Sequence, residues 1–205
     1  MKIDEILRIS TQDFPIRQVA KLLAMTKDGY GWIDELNVNY HESGDQRIII
    51  LTDRANNIAA FAGFISRNNG RVWQAKNLQT YGAFKGNQLG AKIFKYVRSD
   101  MKKSIQSDIE QSPSAEILWT KTLINIGLNP KIFDTKTDYI IDQTNQKMYQ
   151  NAVNKMYTSD DSDADKYRYT WILEHSDHYQ EQNILSEESL LMPYRGVWYN
   201  FKDNE

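Results

Sequence analysis

Seven consecutive residues, Lys85-Gly86-Asn87-Gln88-Leu89-Gly90-Ala91, separate a strand-like run ending at Tyr81 from an amphipathic stretch. A short loop that opens a helix leaves the first backbone N–H groups of that helix without internal partners. Those donors, with the helix dipole behind them, favour an anion such as a pyrophosphate. Gly86 and Gly90 lack a Cβ, so a ligand or packed backbone can come close there. Two glycines describe a plain strand-to-helix turn equally well, with Gly90 letting the helix sit on the sheet. Other constellations fail. His175 and His178 are three apart, outside any clear helix, with no carboxylate or Cys to complete a metal site. The run Asp161-Ser162-Asp163-Ala164-Asp165 mimics the start of a calcium loop. It has Lys166 where Gly is needed and Ile172 where the bidentate Glu belongs. No nucleophile elbow, phosphate loop or kinase signature is present.

The elements that must position this loop can be read on either side of it. Residues 16–27 place Ile16, Val19, Leu22 and Leu23 at helical spacing, and Gly29 and Gly31 end that helix. Three strands in a meander follow from Arg47, with turns at 53–57 and at the Asn-Gly before Arg71. The last of them, 72–81, leads into the loop. The helix after it spans about 88–103, with Leu89, Ile93, Phe94, Val97 and Met101 on one face. Residues 104–108 are a short strand or strand end. A second helix starts at Ser112 as N-cap with Pro113 at the first helical position, and ends at Gly127 and Pro130. Residues 131–149 look like a hairpin turning around 142–146. The polar, acidic run 158–166 is a solvated loop, and 167–175 alternates like a strand. The order is helix, three strands, helix, strand, helix, strands: a mixed α/β arrangement rather than a strict βαβ alternation. We expect one domain over 1–157 and, over 158–205, an extension whose aromatic residues in 190–201 dock on the body, on a second copy or on a protein partner.

Composition narrows the function classes. The 205 residues carry a formal net charge of −2, so there is no global basic signal for nucleic acid. Lys85, Lys92, Lys95, Arg98, Lys102 and Lys103 could form a local basic surface, although such a run is ordinarily the solvated face of a helix. Cys is absent, which excludes a disulfide scaffold, thiolate-bound zinc and a thiol nucleophile. No run is long and apolar enough to span a membrane, and the first residues lack a secretory signal's apolar core, so a cytoplasmic protein is expected.

The strand 72–81, the loop Lys85 to Gly90 and the helix behind it resemble motif A of the GNAT superfamily, the Gcn5-related N-acetyltransferases. The family pattern is Arg/Gln-x-x-Gly-x-Gly/Ala. The block 104–128, with Ser112 or Ser114, Ala115, Trp119, Leu123, Gly127 and Leu128, resembles the family's next strand and helix. Together the resemblance covers roughly 45–135, and its flavour is similar to GNAT-like proteins carried by bacteriophages. It implies a GNAT-like fold, a mixed and mostly antiparallel sheet flanked by helices. It implies acetyl-CoA as cosubstrate, held at Tyr81, Lys85, Gly86, Asn87, Gln88, Leu89, Gly90, Ala91 and Trp119. It also implies transfer of the acyl group to an amine, on a small molecule, a protein or a nucleobase. Asp108, just past the strand at the mouth of the implied cleft, is then the candidate base, Ser112 could order a water, and Tyr81 is a further proton donor. The plain alternatives are that Asp108 caps a turn, Ser112 caps a helix and Tyr81 is a core aromatic.

Besides Lys85, which replaces Arg or Gln and offers a phosphate its charge without the planar fork of Arg, two residues depart from the family pattern. Gln88 stands where Gly is usual, and its side chain is harmless only if it points away from the phosphates. Trp119 stands where many members have a Tyr that protonates the leaving thiolate, and an indole N–H is not a useful acid. These departures favour a rival reading, a GNAT-like protein that binds or assembles without catalysis.

Overall fold

The computed structural model describes residues 15–26, 30–109, 111–158, 163, 165 and 167–175. The chain divides into two units, Met1–His175 and Ser176–Glu205, and every described residue belongs to the first. The expected docking segment 190–201 therefore lies outside the described residues.

Helix α1 (Ile16–Leu23) precedes five strands, β1 (Trp32–Ile33), β2 (Leu36–Ser43), β3 (Gln46–Thr52), β4 (Ile58–Arg67) and β5 (Val72–Thr80). Helix α2 (Leu89–Ser99) and strand β6 (Ser104–Gln106) follow. Helix α3 starts as Pro113–Ile117, widens into a π-helical segment, Leu118–Thr122, and ends with Leu123–Asn125. A hairpin of β7 (Lys131–Asp134) and β8 (Tyr139–Ile141), helix α4 (Gln146–Met156) and strand β9 (Tyr169–Leu173) complete it. The strands form one sheet in the order β1-β2-β3-β4-β5-β6-β9-β7-β8, antiparallel except where β5 meets β6.

The mixed, mostly antiparallel sheet with flanking helices agrees with the sequence reading. The reason is visible in β3, whose apolar run is covered on both faces. Ile48 and Ile50 join Val19 and Leu22 of α1, while Ile49 and Leu51 face the larger core under α2, α3 and α4. The period of two along a strand sends alternate side chains to opposite layers. Strand β4 adds small residues, Ala59, Ala60 and Ala62, so the layers can approach.

Three details differ from expectation. Strands β1 and β2 were not anticipated, although Leu36-Asn37-Val38-Asn39-Tyr40 alternates as a strand should. The hairpin turns at 135–138, where Asp138 takes φ 55°, not at 142–146. Residues from Gln146 instead form α4, capped by the Asn145 side chain, which accepts from the Met148 N–H. Among the described residues no helix is long and apolar enough to cross a membrane.

Candidate acyl-donor and proton-transfer site

The loop after β5 begins with a single 3₁₀ turn, Gly82–Phe84, and leaves it with Gly86 at φ 89°. Gln88 takes the left-handed conformation, φ 54° and ψ 29°, at the N-cap of α2. That is the backbone state glycine reaches without penalty and a residue with a Cβ adopts at a cost. The hydrogen-bond ladder of α2 starts with the Lys92 N–H donating to the Gln88 carbonyl at 3.1 Å. The amides of Leu89, Gly90 and Ala91 precede it and point out of the helix end. Lys85, Gly86, Asn87 and Gln88 are exposed, whereas the side chains of Leu89 and Ala91 are buried, so only the backbone of these two faces the loop. Gly90 has a packing reason. A Cβ there would lie 2.6 Å from Leu78 Cδ2, so the missing side chain lets α2 sit on β5.

Strand β5 carries the second feature. It pairs with β6 at only three positions, Val72 with Ser104, Trp73 with Ile105 and Gln74 with Gln106. Beyond Gln74 its β6-facing edge, on the way to the loop, has no strand partner among the described residues. On its other edge β5 holds an extra residue. Gly63 pairs with Asn77 and Phe64 with Ala75, which leaves Lys76 as a bulge. Bulges re-aim side chains. This one aims Lys76 across the gap, where Nζ lies 2.8 Å from both carboxylate oxygens of Asp108.

Asp108 is thus the best-connected of the expected site residues. Its Oδ1 also accepts from Gln74 Nε2 at 3.3 Å and from the Ile109 N–H at 2.9 Å, while among the described residues Oδ2 accepts from Lys76 alone. The adjoining Ser107 hydroxyl donates to the Asp108 carbonyl and accepts from the Trp171 N–H and Gln111 Nε2. The Tyr157 hydroxyl donates to Gln111 Oε1 at 2.9 Å and accepts from the Trp171 indole at 2.8 Å. Burial pushes the Tyr157 phenol well above its ordinary value.

The remaining expected residues fall elsewhere. Ser112 caps α3, its Oγ accepting from the Ala115 N–H at 3.3 Å. Tyr81 is buried in the core beneath α1. Trp119 is carried into the core by the π-helical turn and packs between Phe94, at 5.3 Å, and Trp171, at 6.4 Å and nearly parallel. The basic residues of α2 are partly neutralised: Lys92 pairs with Asp34 at 2.7 Å, and Arg98 Nε donates to the Glu174 carbonyl. Beside the loop lies a cavity of about 520 Å³ lined partly by Asp34, Asp53, Phe84, Asn87 and Lys92. Asp53 closes its own turn there, accepting from the Ala55 and Asn57 N–H groups.

Lys76 and Gln74 were missed from the sequence. The signal was there: in Trp73-Gln74-Ala75-Lys76-Asn77-Leu78 the apolar positions step by two and then by three, the trace of an inserted residue. Tyr157 and Gln111 left no such trace, because a helix end and a loop far apart in sequence bring them together.

No protein-family model and no curated protein matches the chain. Solved structures do. One, from Bacteroides thetaiotaomicron and assigned to the GNAT family of acetyltransferases, aligns over 69% of this chain and 71% of its own at 10% identity and a TM-score of 0.36. A likeness of that size leaves the chemistry to be argued from the residues.

Proposed function

We propose that the chain is an acyl-CoA-dependent N-acyltransferase of the GNAT type, with acetyl-CoA as donor and an amine as acceptor. One observation carries the reading. The gap between β5 and β6 and the open N-terminus of α2 lie at the same end of β5, so one extended ligand can meet unpaired strand edge and free helix amides together. The pyrophosphate would lie on the amides of 89–91 with Lys85 beside it, and the thioester in the gap. Gln88 is exposed, which leaves room for the phosphates. Transfer needs the amine nitrogen to attack the thioester carbon, the C–S bond to break and one proton to leave the nitrogen. Asp108 Oδ2, which among the described residues accepts only from Lys76, keeps a lone pair for that proton, directly or through a water. With Trp119 packed in the core, the proton that the sulfur gains comes from water.

Calorimetric titration with acetyl-CoA and with CoA tests the cleft. Micromolar affinity supports it, and no binding at millimolar ligand overturns it. A second reading is favoured by Trp119, which fills the space between α2 and β9: a protein of this fold that binds without catalysing. Tight CoA binding with no acyl transfer across a panel of amines would select it.

A further inference from the structure

Strand β6 ends on a side chain. Ser107 lies opposite Trp171 of β9, one step beyond the pair Gln106 and Ile172, and its N–H donates to the Trp171 carbonyl at 2.9 Å. A regular antiparallel pair would return a second bond, from the Trp171 N–H to the Ser107 carbonyl. Here the Trp171 N–H donates instead to the Ser107 hydroxyl, at 3.0 Å. The serine side chain takes the place of its own carbonyl in the ladder. The backbone leaves the sheet at the residue before Asp108, whose carboxylate then meets Lys76 and Gln74 of β5.

The hydroxyl that makes this exchange has no freedom left. It donates to the Asp108 carbonyl at 2.9 Å and accepts from the Trp171 N–H and from Gln111 Nε2, the latter at 3.1 Å. That uses its one hydrogen and both lone pairs. Gln111 is held in turn. Its Oε1 accepts from the Tyr157 hydroxyl, and that hydroxyl accepts from the Trp171 indole N–H. The bonds close a ring through Trp171, Ser107, Gln111 and Tyr157, with Trp171 engaged by both its backbone and its side chain. Ser107 and Trp171 are each 1% exposed, so water does not compete for their bonds. Tyr157 is the C-cap of α4, far from Asp108 in sequence. Burial pushes its phenol up, so the hydroxyl keeps its proton and stays a donor.

We propose that Tyr157 is a positioning residue for Asp108. Acting through Gln111 and Ser107, it fixes the point at which the chain leaves β6, and with it the carboxylate that meets Lys76. The consequence for catalysis rests on the acyltransferase reading; the placement of Asp108 does not. Phe at 157 keeps the ring and removes only the oxygen. Gln111 Oε1 then loses its donor and Trp171 Nε1 its acceptor, and Gln111 is no longer held against Ser107.

The test reads the Lys76 ammonium, 2.8 Å from both Asp108 oxygens, by NMR of the full ¹⁵N-labelled chain. Lys76→Met assigns its NH₃⁺ signal by disappearance. The bonds to Asp108 slow exchange of those protons with water, and in Tyr157→Phe the exchange should quicken by about threefold or more, the equivalent of a weakened hydrogen bond. Gln111→Leu cuts the same ring at a partly exposed position and should do the same, which covers the case in which Tyr157→Phe does not fold. Tyr149→Phe is the control. Tyr149 also belongs to α4 and meets Trp171 edge-on at 5.9 Å, but its hydroxyl accepts from Gln143 and has no bond to Gln111. That variant should leave Lys76 exchange as it is in wild type. These signals need no CoA, so they decide the placement even if the wild-type chain binds none; where CoA does bind, Tyr157→Phe should leave its affinity within about twofold. Lys76 exchange that stays at the wild-type rate in the folded ring variants, or quickens equally in Tyr149→Phe, overturns the proposal.

Discussion

The ion pair across the β5–β6 gap can be weighed by a double-mutant cycle. Unit charges about 3 Å apart attract by about 5–6 kcal/mol at an effective dielectric of about 20. Desolvation and lost side-chain entropy return most of that. With the Lys76 and Asp108 side chains 18% and 17% exposed, water screens the pair further. A coupling of about 1–2 kcal/mol remains, above the usual surface value of up to about 1 kcal/mol. Lys76→Met leaves a partly buried carboxylate, and Asp108→Asn a partly buried ammonium. Each should cost about 2–3 kcal/mol, and the double variant about 3–4 kcal/mol, short of the sum by the coupling. In urea, with a slope of about 2 kcal/mol/M for a chain of this size, each single change moves the midpoint down by about 1 M with the slope unchanged. Free energies that add to within about 0.4 kcal/mol would refute the reasoning, since the two groups would then not be coupled. The same variants divide brace from base. If Asp108 takes the proton, Asp108→Asn lowers turnover far more than CoA affinity, while Lys76→Met, equally destabilising, spares turnover. Equal losses in both variants make the pair a structural strut.

Three further outcomes follow from single positions. Gln88→Gly should raise stability by about 0.5–1 kcal/mol, since relief of the left-handed backbone outweighs glycine's entropy, and it should tighten CoA binding; thermal melts with and without CoA check both. Gly90→Ala sets a helix gain of about 1 kcal/mol against overpacking on Leu78 of about 1–3 kcal/mol, so a net loss is expected, recovered in part by adding Leu78→Ala. Burial opposes ionisation of Asp134, but the Arg168 guanidinium, bonded to both of its oxygens, and the Lys136 N–H and Thr137 hold its carboxyl below the usual range. Its folded value is depressed, so the stabilisation is full above about pH 4 and is lost as the pH falls through the folded value. Asp134→Asn should therefore be less stable than wild type at neutral pH and converge with it in acid, which denaturation midpoints across pH 2–7, about the carboxylate range, will show.

What could be read from the chain depended on whether the cause was local. The meander, α2 and α3 were legible because periodicity, turn residues and the Ser112-Pro113 cap are written in consecutive residues. The turn that opens α2 was legible for the same reason. Helix α4 was missed because Asn145, its cap, lies in a polar run that also reads as a turn, and its buried face is only Ala152 and Met156. Asp108 was singled out from the sequence, yet its contacts with Lys76 and Gln74 were not. Lys76 reaches it only because a bulge turns the side chain, and Gln74 only because β5 and β6 are parallel there. Such geometry is set by pairing between strands, which single-strand patterns do not encode.

The gap that motivates the functional reading also lies along one of the short seams of the sheet. Among the described residues, three ladder pairs join β1–β5 to the half containing β6, β9, β7 and β8. A row of rings crosses that seam on the helix side. Trp73 meets Phe64, Phe64 meets Phe94 of α2, Phe94 meets Trp119 of α3, and Trp119 stacks on Trp171 of β9, each contact within 6.4 Å. Rings that size bury large apolar areas and prefer such tilted or offset contacts. The halves are thus held by packing from above where strand pairing is absent, and the Lys76–Asp108 pair ties them at the level of the strands. Trp119, between Phe94 and Trp171, thus serves the seam. A chain that keeps the gap open by filling this layer with aromatic packing must obtain any acid for acyl transfer from outside that layer, from solvent reaching the open end of β5.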